Sequence, residues 1–206
     1  FQLAERMAKT PEAAEDFLKK VLEPGLKRAA EEKADMQAII GDAFQLEGQD
    51  WWYYSEKVRQ AKYAFDDNAL KPYFELGAVR QGALDVASKL FKVSFTPVEV
   101  EGWNPVVTSW EVRDAETNDF LGLYMADMYA RDSKRPGAWM STFRDASDVG
   151  GVRVRPIVAN NLNLITPAKG EPTLMRFDEV ETLFHEFGHG LHGLLTQIRY
   201  ETFSGV

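Results

Sequence analysis

Cysteine is absent from the 206 residues of this chain, and histidine occurs only three times. The lack of cysteine excludes disulfides, thiolate metal ligands and cysteine nucleophiles. No apolar run reaches the ~20 residues that a membrane-spanning helix needs, so we expect no membrane partner. Basic residues are also outnumbered, because 24 Lys and Arg stand against 32 Asp and Glu, which gives a net charge of −8. This balance argues against nucleic acid as a partner, since phosphates require a basic surface.

The remaining composition is that of a folded globular protein. Hydrophobic residues make up 45% of the chain and aromatic residues 12%, which is sufficient for a real core. The first residues, "FQLAERMAKT", lack a start methionine and the basic-then-apolar pattern of a signal peptide. They are typical of a chain already under way, so a removed leader and an upstream domain both stay open. The compartment stays open, with the cytoplasm as the first expectation and the periplasm as the alternative.

The first part of the chain has helical patterning. Thr10 followed by Pro11 predicts the start of a helix, and "EPG" at 23–25 predicts its end. Three further helices are expected at 26–47, at "WWYYSEKVRQAKYAF" and at 70–91, the last two capped by Asp50 and Asn68. We expect the "WWYY" cluster to contribute to the core.

The patterning changes to strands after residue 95. "VVTSWEVRD" and "DFLGLYMADMY" flank the polar turn "AETND" and predict two paired strands. "GGVRVRPIVANNLNLI" predicts one or two more, and a last helix is expected from about Asp178 to Thr196. The sequence thus predicts an α+β fold that is mainly α-helical. Its helical part is residues 1–95, and residues 96–206 hold a small sheet and the final helix.

All three histidines lie in "VETLFHEFGHGLHGLL", and five of its residues match the pattern H-E-x-x-H. Residues four apart share one face of a helix, so His185 and His189 can reach one zinc ion. Glu186 lies roughly 100° further round the helix, which places its carboxylate beside the metal. There it can accept a proton from the attacking water and pass it to a leaving amine. Gly188 costs about 1 kcal/mol in a helix relative to alanine, which suggests a close approach to the backbone.

Two further residues lie on the same helical face. His192 is roughly 10 Å along the axis from His185, at ~1.5 Å per residue, so one tetrahedral zinc cannot bind all three imidazoles of a continuous helix. We expect His192 to pack against the site or to add polarity near it. Glu181 lies one turn before His185 and can orient that imidazole, as carboxylates next to metal ligands do. A solvated acid in the first turn is the alternative.

A catalytic zinc needs a third protein ligand. The pattern H-E-x-x-H-x-x-G-x-x-H would require glycine and histidine where this chain has His192 and Leu195, so that class is excluded. The other common arrangement takes a glutamate from a second helix downstream. Glu201 is the only carboxylate after His189, and it is too close in sequence to lie on a separate packed helix. We therefore expect a fragment that holds two of three ligands.

"FDEVETLFHEFGHGLHGLL" and "RYETFSG" closely resemble the thimet oligopeptidase family of zinc metallopeptidases. "DWWYYSEKVRQAKYAFDDNALKPYFEL", "GLYMADMYARDSKRPGAWM" and "RPIVANNLNLITPAKGEPTLMRFDEV" agree with it as well, so the resemblance covers nearly the whole chain. Within the family, "RYETFSG" is more similar to the bacterial dipeptidyl carboxypeptidases than to oligopeptidase A.

The resemblance implies a zincin-like, largely helical peptidase with a deep channel, which cleaves short peptides and releases C-terminal dipeptides. It implies Zn²⁺ as cofactor, His185 and His189 as its ligands, and Glu186 as the catalytic base. The third ligand of the family is a glutamate a few residues beyond Val206, so the resemblance also implies that this chain by itself is inactive. Surfaces exposed by truncation would then favour self-association.

Two other functions stay open from the sequence. The chain can be an endopeptidase of the oligopeptidase A type, or a non-catalytic module that binds a peptide or a partner chain. Two segments are candidates for peptide contact. "RPIVANNLNL" is either an edge strand that binds an extended peptide or an ordinary inner strand. "SKRPGAW" is either a loop that faces the substrate or a plain surface turn.

Overall fold

The computed structural model describes residues 8–64 and 67–205. Helices come first along the chain, and a sheet and a final helix follow, with more residues in helices than in strands. The fold is therefore α+β and mainly α-helical, as the sequence predicts. Residues 1–66 and 67–206 form two compact units, and each unit has an apolar core of its own.

The first unit opens with one long helix, α1 (Pro11–Ile40). Its predicted start is confirmed, because the Thr10 hydroxyl accepts a hydrogen bond from the Ala13 N–H at 3.2 Å. The predicted break at "EPG" is wrong, because Pro24 lies inside a continuous helix. The residues around it are exposed, so water can bind the backbone carbonyl that Pro24 leaves without a donor.

The helix α1 ends at Ile40, seven residues before the predicted end at residue 47. Gly41 follows with a φ of 64°, which glycine adopts at little cost. The Gln37 side chain then binds the loop, donating to the carbonyls of Gly41 and Phe44 and accepting from the N–H of Leu46. These three bonds hold the backbone of the loop in a non-helical path, which the apolar spacing does not show.

A second helix, α2 (Trp51–Tyr63), completes the described part of this unit after a short 3-10 turn at Gly48–Asp50. Asp50 is at its N-terminal end as predicted, but its carboxylate accepts from the Glu47 N–H rather than from the helix. The "WWYY" cluster is divided. Its first and last residues pack on the small core of this unit, whereas Trp52 is 84% exposed. That core contains Met36, Ile40 and Leu46, with Trp51, Tyr54 and Val58 against them.

The second unit begins with two 3-10 turns at Asp67–Ala69 and Lys71–Tyr73 and continues in α3 (Leu76–Phe91). The predicted start at residue 70 with Asn68 as cap is wrong, although the predicted end is confirmed. Glu75 caps α3 instead, and its carboxylate accepts from the Ala78 N–H at 2.8 Å. Backbone hydrogen bonds from Gly77 and Ala78 hold the pKa of Glu75 below its usual value.

A five-stranded sheet follows, and its strands are placed in the order β1-β2-β3-β7-β4. Its members are β1 (Val93–Val98), β2 (Thr108–Asp114), β3 (Phe120–Tyr129), β4 (Trp139–Arg144) and β7 (Ile157–Leu164). The pair β3 and β7 is parallel, and the other pairs are antiparallel. A separate hairpin contains β5 (Ser147–Val149) and β6 (Val152–Val154).

The predicted pairing of the two strands around "AETND" is confirmed, since they are β2 and β3. The strands β1, β4 and β5 were not predicted. The edge-strand interpretation of "RPIVANNLNL" is wrong, because β7 lies between β3 and β4. Alternation along one strand reports which residues are buried, but it carries no information about the neighbours of that strand.

The last helix, α4 (Phe177–Leu195), matches the predicted bounds. Together with α3 and one face of the sheet it forms the main core, which includes Tyr124, Val158, Leu183 and Phe187. None of the helices in residues 8–64 and 67–205 is long and apolar enough to cross a membrane.

Candidate metal centre

The start of α4 is fixed by groups close to it in sequence. The Glu179 carboxylate accepts a hydrogen bond of 2.7 Å from the Arg176 N–H, which is the reciprocal half of a capping box. Asp178 and Glu179 also place negative charge in the first turn, where the helix dipole favours it. The helix that carries all three histidines therefore has a defined start two turns before His185.

One face of α4 lies directly on β7. A Cβ added at Gly190 would be 3.1 Å from Asn160 Oδ1, and one added at Gly193 would be 3.1 Å from Val158 Cγ1. These two glycines, rather than Gly188, provide the close approach that the sequence suggests. No described atom lies within 4 Å of a Cβ built at Gly188, so the expected close contact at that position is not found.

A buried side chain connects β7 to the helix backbone at the centre of the motif. Asn160 is 1% exposed, and its Nδ2 donates a hydrogen bond to the Glu186 carbonyl. Its Oδ1 is buried and has no hydrogen-bond partner in the described residues. An unpaired buried oxygen destabilises the fold, and the bond from Nδ2 offsets part of that loss while it joins β7 to α4. The sequence did not single out Asn160, because asparagine in a predicted strand carries no spacing signal.

The two motif histidines converge at their ring nitrogens. His185 Nε2 and His189 Nε2 are 3.1 Å apart, and the ring planes are inclined at 82°. A tetrahedral zinc with Zn–N bonds of about 2.0–2.1 Å holds two nitrogens roughly 3.4 Å apart. The observed separation is within a small ring rotation of that value, so this pair fits two corners of a zinc site.

Glu186 is next to this pair but is much less accessible. It is 9% exposed, whereas His185 is on the exposed side of α4. Both residues line one surface pocket, together with Glu181, Thr182, Phe184 and Ala138. Ala138 immediately precedes β4, so the pocket lies between α4 and the start of β4. The carboxylate that the sequence predicts as a base therefore faces the same space as a predicted ligand.

The remaining two predicted residues are placed differently. Glu181 shares the pocket of His185, but within residues 8–64 and 67–205 no hydrogen bond joins it to either histidine. His192 lines another pocket, with Phe91, Gly188 and Leu191 among its neighbours. The structure thus brings Glu181 to the candidate site and separates His192 from it.

Comparison with known proteins decides the family. The model of peptidase family M3 matches residues 1–206. The chain belongs to peptidase family M3. Dipeptidyl carboxypeptidase of Escherichia coli is 41% identical over 211 residues, which is 100% of this chain and 30% of the relative. Oligopeptidase A of Salmonella typhimurium is 35% identical over 209 residues, which is 99% of this chain and 31% of the relative.

The chain spans about 30% of the length of the curated M3 relatives that it matches. The resemblance found in the sequence is confirmed at the level of the family. Among the residues that the structure describes, no group of three or more His, Asp or Glu is placed to hold a metal ion. The described residues thus bring together two candidate ligands, His185 and His189, and no third one.

A buried ionic cluster at the end of β3 was not predicted from the sequence. Asp127 on β3 is fully buried, and it accepts hydrogen bonds from Arg131, Lys134 and Trp103. Burial raises its pKa, but the bonds from Arg131, Trp103 and Lys134 outweigh that effect and hold the pKa below its usual value. Aspartate, arginine and lysine within eight residues resemble a solvated loop in sequence, so their burial is visible only in three dimensions.

Proposed function

We propose that the protein is a zinc-dependent peptidase that cleaves short peptides and releases dipeptides from their C-terminus. The observation that carries the proposal is the 3.1 Å separation of His185 Nε2 and His189 Nε2, with Glu186 between them on α4. Membership of the M3 family supports peptide bonds as the target. The chain spans about 30% of the length of these relatives, and the activity is proposed for the complete protein.

His185 and His189 would hold the metal through their Nε2 atoms. Imidazole nitrogens suit zinc, and a site of this class takes three protein ligands and leaves one position open. We propose that the third ligand comes from a residue outside the described ranges, since no third donor is placed within them. When bound, zinc polarises the scissile carbonyl and lowers the pKa of water towards ~7.

Glu186 is proposed as the general base and then the general acid. Its carboxylate accepts a proton from the attacking water, and the protonated group delivers that proton to the leaving nitrogen. Two features support this role. The bond from Asn160 Nδ2 to the Glu186 carbonyl fixes the backbone from which the carboxylate extends. The low exposure of Glu186 limits competition from bulk water.

Glu181 and His192 receive lesser roles in this proposal. Glu181 lines the pocket of His185 and would orient that imidazole in the metal-bound protein. His192 lies in a separate pocket beside Phe91. A packing role for His192 therefore fits better than a role at the metal, and its substitution should change stability more than zinc affinity.

The edge strand β4 is the proposed platform for the peptide. It pairs with β7 on one side, and its other edge is unpaired in the part of the chain that the structure describes. An extended peptide can add to such an edge through backbone hydrogen bonds. Ala138, the residue before β4, lines the same pocket as His185 and Glu186. A peptide on β4 would thus pass the carboxylate that moves the proton.

The first experiment measures zinc stoichiometry by elemental analysis after dialysis of the purified protein against a moderate chelator. In the complete protein, which includes the third ligand, the proposal expects one zinc, which is lost from the His185→Asn variant and kept in Glu186→Gln. Glu186→Gln should lower peptide turnover by about 10²–10⁴-fold, the usual contribution of general acid–base catalysis. Glu171→Gln is the matched control, because Glu171 is exposed and does not line the pocket of His185, and it should retain most activity. Full turnover by Glu186→Gln would disprove the assigned base.

The products separate the release of dipeptides from the alternatives. Identity of 41% to a dipeptidyl carboxypeptidase, against 35% to an oligopeptidase A, favours dipeptide release. Peptides with an amidated C-terminus should then resist cleavage, whereas cleavage of these peptides would indicate an endopeptidase. A peptide that stays intact yet changes the tryptophan fluorescence would indicate a binding module. Self-association stays a prediction, which size-exclusion chromatography can check.

A further inference from the structure

The side of β4 that faces away from α4 carries an exposed aromatic pair. Trp103, from the loop before β2, packs on Phe143 of β4 with ring centroids 4.9 Å apart and planes inclined at 40°. Trp103 is 44% exposed and Phe143 is 59% exposed. The pair lies beside the edge of β4 that is unpaired in the described residues. Aromatic side chains are the preferred anchors of binding sites.

The register of the sheet shows on which face the pair lies. Met140 on β4 is level with Asn160, which contacts α4, so Met140 belongs to the helical face. Trp139 is one residue earlier and belongs to the opposite face, level with Asn161 and, through it, with Asp127. Because Trp103 binds the Asp127 carboxylate, the aromatic pair lies on this opposite face.

Alternation along β4 places Phe143 on the same face as Trp139, because the two residues are four apart in the strand. The register with β7 shifts between Thr142 and Arg144, so Phe143 lies at an irregularity of the strand. Such irregularities are frequent next to active sites. Phe143 packs on Trp103 there, and more than half of its surface stays accessible.

Trp103 is fixed by a hydrogen bond to the buried Asp127 carboxylate. Its Nε1–H donates to Asp127 Oδ2 at 2.8 Å, and Asp127 is in turn bound by both terminal nitrogens of Arg131 and by Lys134 Nζ. Lys134 is only 2% exposed. An exposed ring anchored on a buried ionic cluster loses little conformational entropy when a ligand covers it, which increases the affinity of a binding surface.

We propose that Trp103 and Phe143 form a subsite that takes an aromatic or large aliphatic side chain of an extended peptide bound along β4. The inference rests on the proposed function, because it needs a peptide at this edge. Side chains of an added strand alternate between the two faces. Only side chains that point to the face of Trp103 and Phe143 can reach the subsite. It therefore selects for an apolar residue at one position of the peptide and not at the two adjacent positions.

The distance from the candidate metal centre fixes that position approximately. Asn160 binds the Glu186 carbonyl and is level with Met140, and Phe143 is three residues further along β4. Three strand residues span roughly 10 Å at about 3.3 Å each. The selected side chain is thus about three residues from the cleaved bond, on one side of it.

The test is a scan with polyalanine peptides of eight residues, each carrying one phenylalanine. Binding is measured by calorimetry to the zinc-loaded Glu186→Gln protein, which holds the peptide without cleaving it. We expect affinity to rise about five- to tenfold at one position and not at its two neighbours, as an aromatic contact provides. Phe143→Ser should remove this gain, so that the phenylalanine peptide and the all-alanine peptide bind this variant equally well.

Two further variants serve as matched controls. Phe143→Leu keeps an apolar side chain and should retain part of the gain. Tyr73→Ser removes another exposed ring, 78% accessible and away from β4, and should retain all of it. An equal gain in Phe143→Ser and the parent, or a gain at neighbouring positions, would overturn the subsite. A parent protein that neither binds nor cleaves any of the peptides would overturn the proposed function as well.

Discussion

Replacing Lys134 with methionine tests whether the buried cluster supports the sheet. The ammonium group of Lys134 donates to the Asp127 carboxylate at 3.0 Å and to the Asp127 and Tyr129 carbonyls at 2.7 and 3.0 Å. It also donates to the Leu162 carbonyl. One side chain thus connects β3, β7 and the loop before β4. Methionine has a similar length but no donor, so the variant removes the bonds and keeps most of the volume.

The expected loss follows from these contacts. The Lys134 and Asp127 side chains are 2% and 1% exposed, so the variant leaves a buried carboxylate with one cation fewer. Removing one partner of a buried ion pair costs about 3–5 kcal/mol. Arg131 still binds Asp127 with two nitrogens, which favours the lower end of that range. We therefore expect the free energy of unfolding of the second unit to fall by about 3 kcal/mol.

Unfolding in urea is monitored by hydrogen exchange in peptides from β3 and β7. These peptides report on the second unit by itself. Lys169→Met is the control, because Lys169 is exposed and such surface changes stay within about ±0.5 kcal/mol. In an Asp127→Asn background, Lys134→Met should cost much less, since the pair is already broken. A loss equal to that of Lys169→Met would refute the argument that the cluster stabilises the sheet.

Four other variants test the packing, the long helix and the acid response. Gly122→Ala should lower the free energy of unfolding by about 1–3 kcal/mol in urea, because its Cβ would be 2.8 Å from Leu194 Cδ2, whereas Gly188→Ala should raise it by about 0.5–1 kcal/mol. Pro24→Ala should stabilise α1 by up to about 3 kcal/mol, measured as helicity against urea; no gain would contradict the continuous helix. The pKa of Asp127 is lower in the folded protein than its value of about 3.9 in the unfolded chain, so the ionised carboxylate stabilises the fold above that pH. This stability is lost as the pH falls through the lower folded pKa. Asp127→Asn should therefore make the free energy of unfolding less dependent on pH below about pH 4.

The parts of the site that were predictable share one property, which is that their signal is local. His185, Glu186 and His189 lie within five residues of one helix, so the spacing predicts the convergence that the Nε2 atoms show. The start of α1 at Thr10 and the bounds of α4 are also local, since caps and helical periodicity act over one or two turns.

The parts that were missed depend on residues distant in sequence. Asn160 acts on Glu186 across 26 positions, and Trp103 reaches Asp127 across 24. The sequence left open whether β7 is an edge strand or an inner strand for the same reason, because the neighbours of β7 are determined by packing. Glu181 and His192 share a helical face by spacing, yet the structure places them in different pockets. Spacing along one helix therefore did not determine what lies opposite each side chain.

The parallel pairing of β3 with β7 has a consequence for how the chain folds. The strand β4 precedes β7 in the chain, yet within the described sheet it is joined to the rest only through β7. During synthesis β3 and β4 both have a vacant edge until Ile157–Leu164 has been made, and such edges favour aggregation. Since α4 packs on β7, the two histidines gain their supporting surface only after this insertion. We therefore expect the metal centre to be among the last features to form, and the arrival of β7 to limit the rate of its formation.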